Sequence, residues 1–245
     1  MFLHVHAFKW GNMYSADDVN RLRAMFLRNL KVPHAFHCST DDSKGLRPDI
    51  VSHPLPKYDF CNWDIGLGRK LAVFGKNFIG LEGSLLIQTD IDVVLIGDCS
   101  FLADRPEEDF IIGRGKNQAY RTRGHGAIYR IRVGSQAHVW NTLTEDPIAA
   151  VATAQHHRGE RGHISEQRWI DAQIKNMSFF EDGSIVYFRQ DCNAKTDHLN
   201  PAGIAHPPTG AKIVSSAGKA KPRQVMHESH LNFRHAPFVA EHWHE

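Results

Sequence analysis

The sequence predicts an α/β chain with a mostly parallel central sheet flanked by helices, and three observations carry that prediction. Within the first forty residues an apolar run, a helical repeat and a second apolar run follow one another. That order is a βαβ unit, which needs a parallel strand pair and a right-handed crossover. The stretch Ser84 to Asp98 then holds an apolar run without alternation, a short acidic interruption and a second apolar run. Unbroken apolar character is the mark of a strand covered on both faces. Further short apolar runs alternate with helical spacing to about residue 214.

The first strand begins at Phe2-Leu3-His4-Val5-His6, and Trp10 to Tyr14 forms a turn with two aromatics at its carboxyl end. Ser15 is a good helix N-cap with Asp18 in the first turn. Val19, Leu22, Phe26 and Leu30 recur at helical spacing until Pro33 stops the helix. His34 to Cys38 reads as the second strand, ending in Ser39-Thr40-Asp41-Asp42. A short strand is expected between Asp49 and Leu55, and a helix over Gly68 to Phe74 with Leu71 and Phe74 inward. Beyond the acidic strand come strands at Phe110 to Gly113 and Gly124 to Ile131, separated by a basic loop. A helix is expected from Ser135 to about Thr142, and a charged loop from His156 to His163. Ser165-Glu166-Gln167 opens a short helix carrying Trp169, Ile170 and Ile174. Ile185 to Phe188 and Lys212 to Val214 are the last strands, and no internal repeat is present.

Composition narrows the function classes. A chain of 245 residues with 42% hydrophobic and 23% charged residues can build one large core without staples. A formal charge of +2 gives no argument for nucleic acid or a membrane surface as partner. No run approaches a transmembrane span, and the N-terminus runs directly into a strand with no basic, apolar leader, so a cytoplasmic protein is expected. The cysteines at 38, 61, 99 and 192 form no C-x-x-C pair and are expected to be reduced. Many of the 17 histidines crowd residues 226 to 245, in no zinc-binding spacing, and read as surface residues of an irregular tail.

On an extended chain Asp90 and Asp92 point the same way while Ile91 turns into the core. Two carboxylates at the mouth of an apolar strand are costly unless something positive compensates them. A hard divalent cation, and through it a diphosphate, is one such partner; a helix end or an arginine is the other. Ligands of open α/β sheets bind at strand carboxyl ends, which makes Trp10 to Tyr14 and Thr40 to Asp42 candidates for the base and ribose of a nucleotide.

In combination these pieces resemble the glycosyltransferases of the GT-A (Rossmann-like) fold, as a single domain over residues 1 to about 225. The likeness is to small bacterial enzymes related to glycogenin and the lipopolysaccharide galactosyltransferases. It rests on Trp10-Gly11 to Tyr14, Cys38-Ser39-Thr40-Asp41-Asp42, Arg69-Lys70-Leu71, the D-x-D segment Thr89-Asp90-Ile91-Asp92-Val93-Val94, Ser165 to Ile170, and Gly218-Lys219-Ala220-Lys221-Pro222. The resemblance implies a nucleotide-sugar donor, with Asp90 and Asp92 holding Mn²⁺ or Mg²⁺ against its diphosphate. It also implies donor contacts from Trp10, Tyr14, Thr40, Asp41, Lys70, Asp90, His125, Gly218 and Lys221. Glu166 and Gln167 stand where the family keeps an acidic residue and Gln beside the transferred sugar, which implies that they are the catalytic residues, the carboxylate orienting donor and acceptor hydroxyls or stabilising an oxocarbenium-like centre. Retention at the anomeric carbon, a hexose donor, and a glycan, lipid-linked or small-molecule acceptor complete the implied picture.

Two departures from the family pattern stand out. Ser215, Ser216 and Ala217 precede Gly218 where relatives carry a histidine ligand, so a metal would rest on the two aspartates or borrow His227 or His230. His125-Gly126-Ala127 replaces a polar triplet. They favour, as an alternative, a degenerate domain that binds a nucleotide or a partner without turnover. A nucleotidyltransferase ranks lower, because the turn after the first strand is poor in glycine.

Overall fold

The computed structural model describes residues 1–58, 68–115, 123–154, 166–192, 203–216 and 220–245, apart from the side chains at 151 and 154. Cys61, Ala217, Gly218, Lys219, Ser165 and the loop at 156–163 lie outside the described residues.

The βαβ unit forms as the sequence dictates. Strand β1 (Leu3–Lys9) leads to helix α1 (Ala16–Asn29) and strand β2 (His34–Thr40). Ser15 and Asp18 complete a reciprocal capping box: the Asp18 N–H donates to the Ser15 hydroxyl, and the Ser15 N–H to the Asp18 carboxylate at 2.8 Å. Then come β3 (Ile50–Pro54), β4 (Leu85–Thr89), β5 (Val93–Leu95), β6 (Phe110–Arg114), β7 (Gly124–Arg132), β8 (Ser178–Phe179), β9 (Ile185–Tyr187) and β10 (Ile213–Ser215). The main sheet has the order β3-β2-β1-β4-β7-β6-β8, and β7 alone runs against the rest. A second, three-stranded sheet has the order β5-β10-β9.

Alternation along β1 sorts the core. Leu3, Val5 and Ala7 join α1, through Val19, Leu22 and Phe26, in one apolar cluster. Phe8 joins the opposite cluster with Leu71, Phe74, Tyr129 and Trp140. The remaining side chains of that second face are polar and satisfy one another. His6 bonds to Gln88 at 2.7 Å and to Ser39 at 2.8 Å, and His37 bridges His4 and His53 at 2.9 Å on each side. Arg130 on β7 is fully buried, donating to the carbonyls of Leu102, Asp104, Arg105 and Glu108.

Several sequence expectations shift in detail. Gly68–Phe74 is a 3-10 turn rather than an α-helix, since seven residues ending at Gly75 give little room to nucleate one. The helix expected at 135 begins at Ala137, running to Glu145 (α2), and α3 (Pro147–Ala154) follows without having been foreseen. α4 (Glu166–Gln173) opens where expected, and Phe188 leaves its strand to begin a short helix, α5 (Phe188–Asp191). The histidine-rich segment is not irregular throughout. After the short α6 (Pro222–Val225) it ends in α7 (Pro237–His242), whose Phe238 and Val239, with Trp243 beyond, are buried in the α1-side cluster. Arg28 donates to the carbonyls of His242 and His244 at 2.8 and 2.9 Å. Of the histidines expected on the surface, His227 and His244 are exposed, whereas His230, His235 and His242 are half-buried. Among the described residues no helix is long and apolar enough to cross a membrane, and Cys38, Cys99 and Cys192 are unpaired.

The buried imidazoles make stability depend on pH. Burial, and secondarily neighbouring histidines, lowers His6 to about 3 and His37 to about 4, below the 6.5 of a free imidazole. The unfolded chain therefore binds protons that the folded chain refuses, so this stability is present above pH 6.5 and lost as pH falls toward 4. We predict a loss of about 1.4 kcal/mol per pH unit for each such histidine below pH 6. Urea midpoints at pH 7.5 and 5 measure it, and His6→Gln should flatten the slope.

Candidate active site

The chain leaves the main sheet at the acidic pair. Asp90 follows β4, and Ile91-Asp92 form a turn that redirects the backbone into β5 of the small sheet. The expected extended geometry at 90–92 is thus replaced by a turn, because β4 pairs with β1 and β7 whereas β5 pairs with β10. The turn is fixed at both ends: the Asp90 N–H donates to the Ala127 carbonyl at 2.8 Å, and the Ser216 N–H to the Asp92 carbonyl at 3.1 Å. Ile91 is buried, and both carboxylates face one cavity of about 290 Å³ at the carboxyl ends of β1 and β4. That size is at the lower edge of small-molecule sites.

Five parts of the chain join the acidic turn to build its walls. From β1 and its turn come Phe8, Trp10, Met13 and Tyr14; from the 3-10 segment comes Lys70. His125 enters from the start of β7, Gln167 from α4, and Lys221 from the residue before α6. The structure so brings together Trp10, Tyr14, Lys70, Asp90, Asp92, His125, Gln167 and Lys221 of the residues expected from sequence. Phe8 lines the cavity without having been singled out, since an apolar residue at a strand end looks the same whether it faces core or ligand, and Met13 joins it from the expected turn.

Thr40, Asp41 and Glu166 do not line it. Asp41 accepts from the Gly11 N–H at 2.9 Å and so buttresses the aromatic turn, where Gly11 takes φ +58. Thr40 accepts from the Asp42 N–H at 3.1 Å and shapes its own turn. Arg223 fastens the aromatic turn from the other side, through the Met13 carbonyl at 2.9 Å and the Asp18 carboxylate at 3.2 Å.

Each cavity carboxylate carries an ammonium. Lys70 is hydrogen-bonded to Asp90, and Lys221 to Asp92 at 2.6 Å. The Tyr14 hydroxyl donates to the same Asp92 oxygen at 2.9 Å. Burial, and then the Asp92 charge, pushes the Tyr14 hydroxyl well up, so it remains a donor. Burial raises Asp90, with Asp92 adding to the rise and Lys70 opposing it. Burial alone would lower Lys70, but Asp90 and then Glu166 raise it overall, so it stays charged. His125 is lowered to about 4 by burial against the pull of Asp92, and its Nδ1 accepts from the Ala127 N–H at 3.2 Å. It is a neutral imidazole.

Glu166 stands behind Lys70, 4.0 Å from its ammonium, with Oε1 buried and unpartnered. Burial pushes this carboxyl up to about 7, with Lys70 pulling down. A Cβ at Gly126 would stand 3.4 Å from that oxygen, so the glycine keeps the wall against Glu166 thin.

The chemistry of Asp90 and Asp92 fits a hard divalent cation, for which phosphate and water oxygens would have to supply the other ligands. No cluster of three or more ligating side chains exists among the described residues, so neither His227 nor His230 completes a protein cage.

No protein-family model and no curated protein sequence matches the chain. Solved structures do. The galactosyltransferase LgtC in complex with donor and acceptor sugar analogues is 12% identical, with 89% of this chain and 88% of that chain covered at a TM-score of 0.56. The apo form of mouse xyloside xylosyltransferase 1 is 11% identical, with 89% and 98% covered at a TM-score of 0.58. The bifunctional glycosyltransferase WbbM matches 98% of this chain, at 12% identity and a TM-score of 0.61; the chain spans about half (49%) of that protein. The chain has the GT-A fold of these glycosyltransferases.

Lys70 is the cation shared by the buried Glu166 and the half-buried Asp90, and removing one partner of such a pair strands the other. Lys70→Met is expected to cost about 3 kcal/mol or more at pH 8, and less at pH 5, where the stranded carboxyls can protonate. Equal costs at the two pH values in denaturant titrations would show that Lys70 acts by packing alone.

Proposed function

We propose that this chain transfers a glycosyl group from a nucleoside-diphosphate sugar to a glycan, lipid-linked or small-molecule acceptor. One observation carries the reading: aromatic rings, two carboxylates, two ammoniums and an amide converge in one cavity at the carboxyl ends of parallel strands. The GT-A fold and the LgtC structure with donor and acceptor sugar analogues support it.

In this reading Trp10 stacks on the base, and Lys70 and Lys221 approach the diphosphate. Asp90 and Asp92 hold Mn²⁺ or Mg²⁺, which neutralises charge on the departing nucleoside diphosphate. Tyr14 fixes the orientation of the Asp92 carboxylate. Gln167 presents its amide to the sugar. Glu166, buried behind Lys70, places that ammonium rather than reaching the reacting carbon. Neutral His125 offers an uncharged wall, so among the described lining residues Lys70 and Lys221 are the cations offered to the phosphates. Gly218 would bring backbone near the phosphates. Hexose transfer with retention belongs to the same proposal, and NMR of the anomeric configuration of the product reads it. Unpaired buried cysteines suit a cytoplasmic location.

Isothermal titration with a panel of nucleoside diphosphates, with and without Mn²⁺, tests the reading. Metal-dependent binding is expected, weakened at least about tenfold by Asp92→Asn, or roughly 1.4 kcal/mol. No binding of any nucleoside diphosphate, with metal or without, would overturn it.

A further inference from the structure

Among the described residues, the four charges facing the cavity cancel in pairs: Lys70 against Asp90, and Lys221 against Asp92. Glu166 behind Lys70 adds partial negative charge and no positive one. A cavity balanced in this way draws neither a lone cation nor a lone anion strongly. Both lysine side chains are largely buried, 15% and 19% exposed, so an ammonium that loses its carboxylate is poorly rehydrated. Neither lysine belongs to the turn that carries the aspartates. Lys70 lies in the 3-10 segment, and Lys221 precedes α6, its N–H donating to Gln224 at 2.9 Å. Each ammonium therefore sits on a flexible four-carbon stem rooted in a separately held backbone, and can change partner while the aspartates stay in place.

We infer that Lys70 and Lys221 are exchangeable counter-ions that hold Asp90 and Asp92 against a lone cation until a diphosphate draws the ammoniums away, so that divalent cation and diphosphate bind cooperatively. The inference rests on the diphosphate site proposed above. A cation arriving alone must displace two ammoniums, of which Lys221 then has no anion to meet and Lys70 keeps only Glu166, 4.0 Å away. A diphosphate arriving alone takes the ammoniums and strands two carboxylates. When both arrive, every charge has a partner: carboxylates on the cation, ammoniums on the phosphates. The missing third protein ligand among the described residues reinforces the coupling, because phosphate oxygens then fill positions on the cation. By linkage each ligand strengthens the other by the same factor, commonly about 5- to 150-fold.

The consequence is a counter-intuitive variant. Lys221→Met removes a competitor for Asp92 and should bind Mn²⁺ alone at least about fivefold more tightly than the wild type, while binding inorganic pyrophosphate in EDTA more weakly. Lys221→Arg keeps the charge and should bind Mn²⁺ alone as weakly as the wild type. Free Mn²⁺ is followed by electron paramagnetic resonance, and bound pyrophosphate by calorimetry. Should Lys221→Met be less stable, thermal melts give the same answer, since Mn²⁺ should raise its Tm more than that of the wild type. Unchanged or weaker Mn²⁺ binding by Lys221→Met overturns the inference, as does a complete lack of Mn²⁺ binding by both proteins. If nucleoside diphosphates still bind with Mn²⁺ in that case, the counter-ion exchange falls and the glycosyltransferase reading stands.

Discussion

The cleft depends on one backbone constraint, the turn at residues 90–92 where the chain passes from the main sheet to the small one. β4 is committed to β1 on one side and β7 on the other, while β5 is committed to β10. The peptide between them cannot stay extended and satisfy both sheets. Turning there puts two carboxylates over the carboxyl ends of the strands and draws the start of β7 and the segment after β10 to the same place. Two backbone hydrogen bonds, to Ala127 and from Ser216, join the turn to both neighbours. Charge is thus imposed on the cavity by the topology, and the lysines are its answer.

Much of this was legible in the sequence where local chemistry and tertiary structure agree. Ser15 and Asp18 announce α1, and the apolar run ending at Thr89 announces a central strand, because capping and two-sided burial leave direct marks on residue choice. Tyr14, Lys70 and Lys221 could be placed near Asp90 and Asp92 by resemblance, yet nothing local says which lysine meets which aspartate. That pairing is set by crossings between segments 20 and 129 residues apart. The resemblance puts Glu166 beside the sugar, whereas the structure seats it behind Lys70: a one-residue step around α4 separates it from Gln167, finer than helical spacing can resolve without knowing how α4 packs. The 3-10 form of the Gly68–Phe74 helix and the whole of the short α3 are not legible for a related reason, since tertiary packing rather than propensity holds such brief elements.

The shared fold at 11–12% identity becomes intelligible in these terms. What must persist is the order of strands, the single reversed strand β7 and the crossover between sheets. Apolar residues of similar volume satisfy those demands in many combinations. The second face of β1 shows the latitude, since a network of imidazoles, Gln88 and Ser39 fills a layer that aliphatic residues could also fill.

Arg130 shows where tolerance ends. One guanidinium, with no exposure to water, answers carbonyls from four residues of the segment Leu102 to Glu108. That segment connects the small sheet to β6, and its carbonyls have turned inward upon a single planar donor. Lysine would bring three donors on one atom in place of a rigid five-donor fork, leaving inward carbonyls bare. Among drifting sequences with this fold, position 130 can therefore change only together with the path of a whole connection, which makes it a fixed joint in a chain otherwise free to vary.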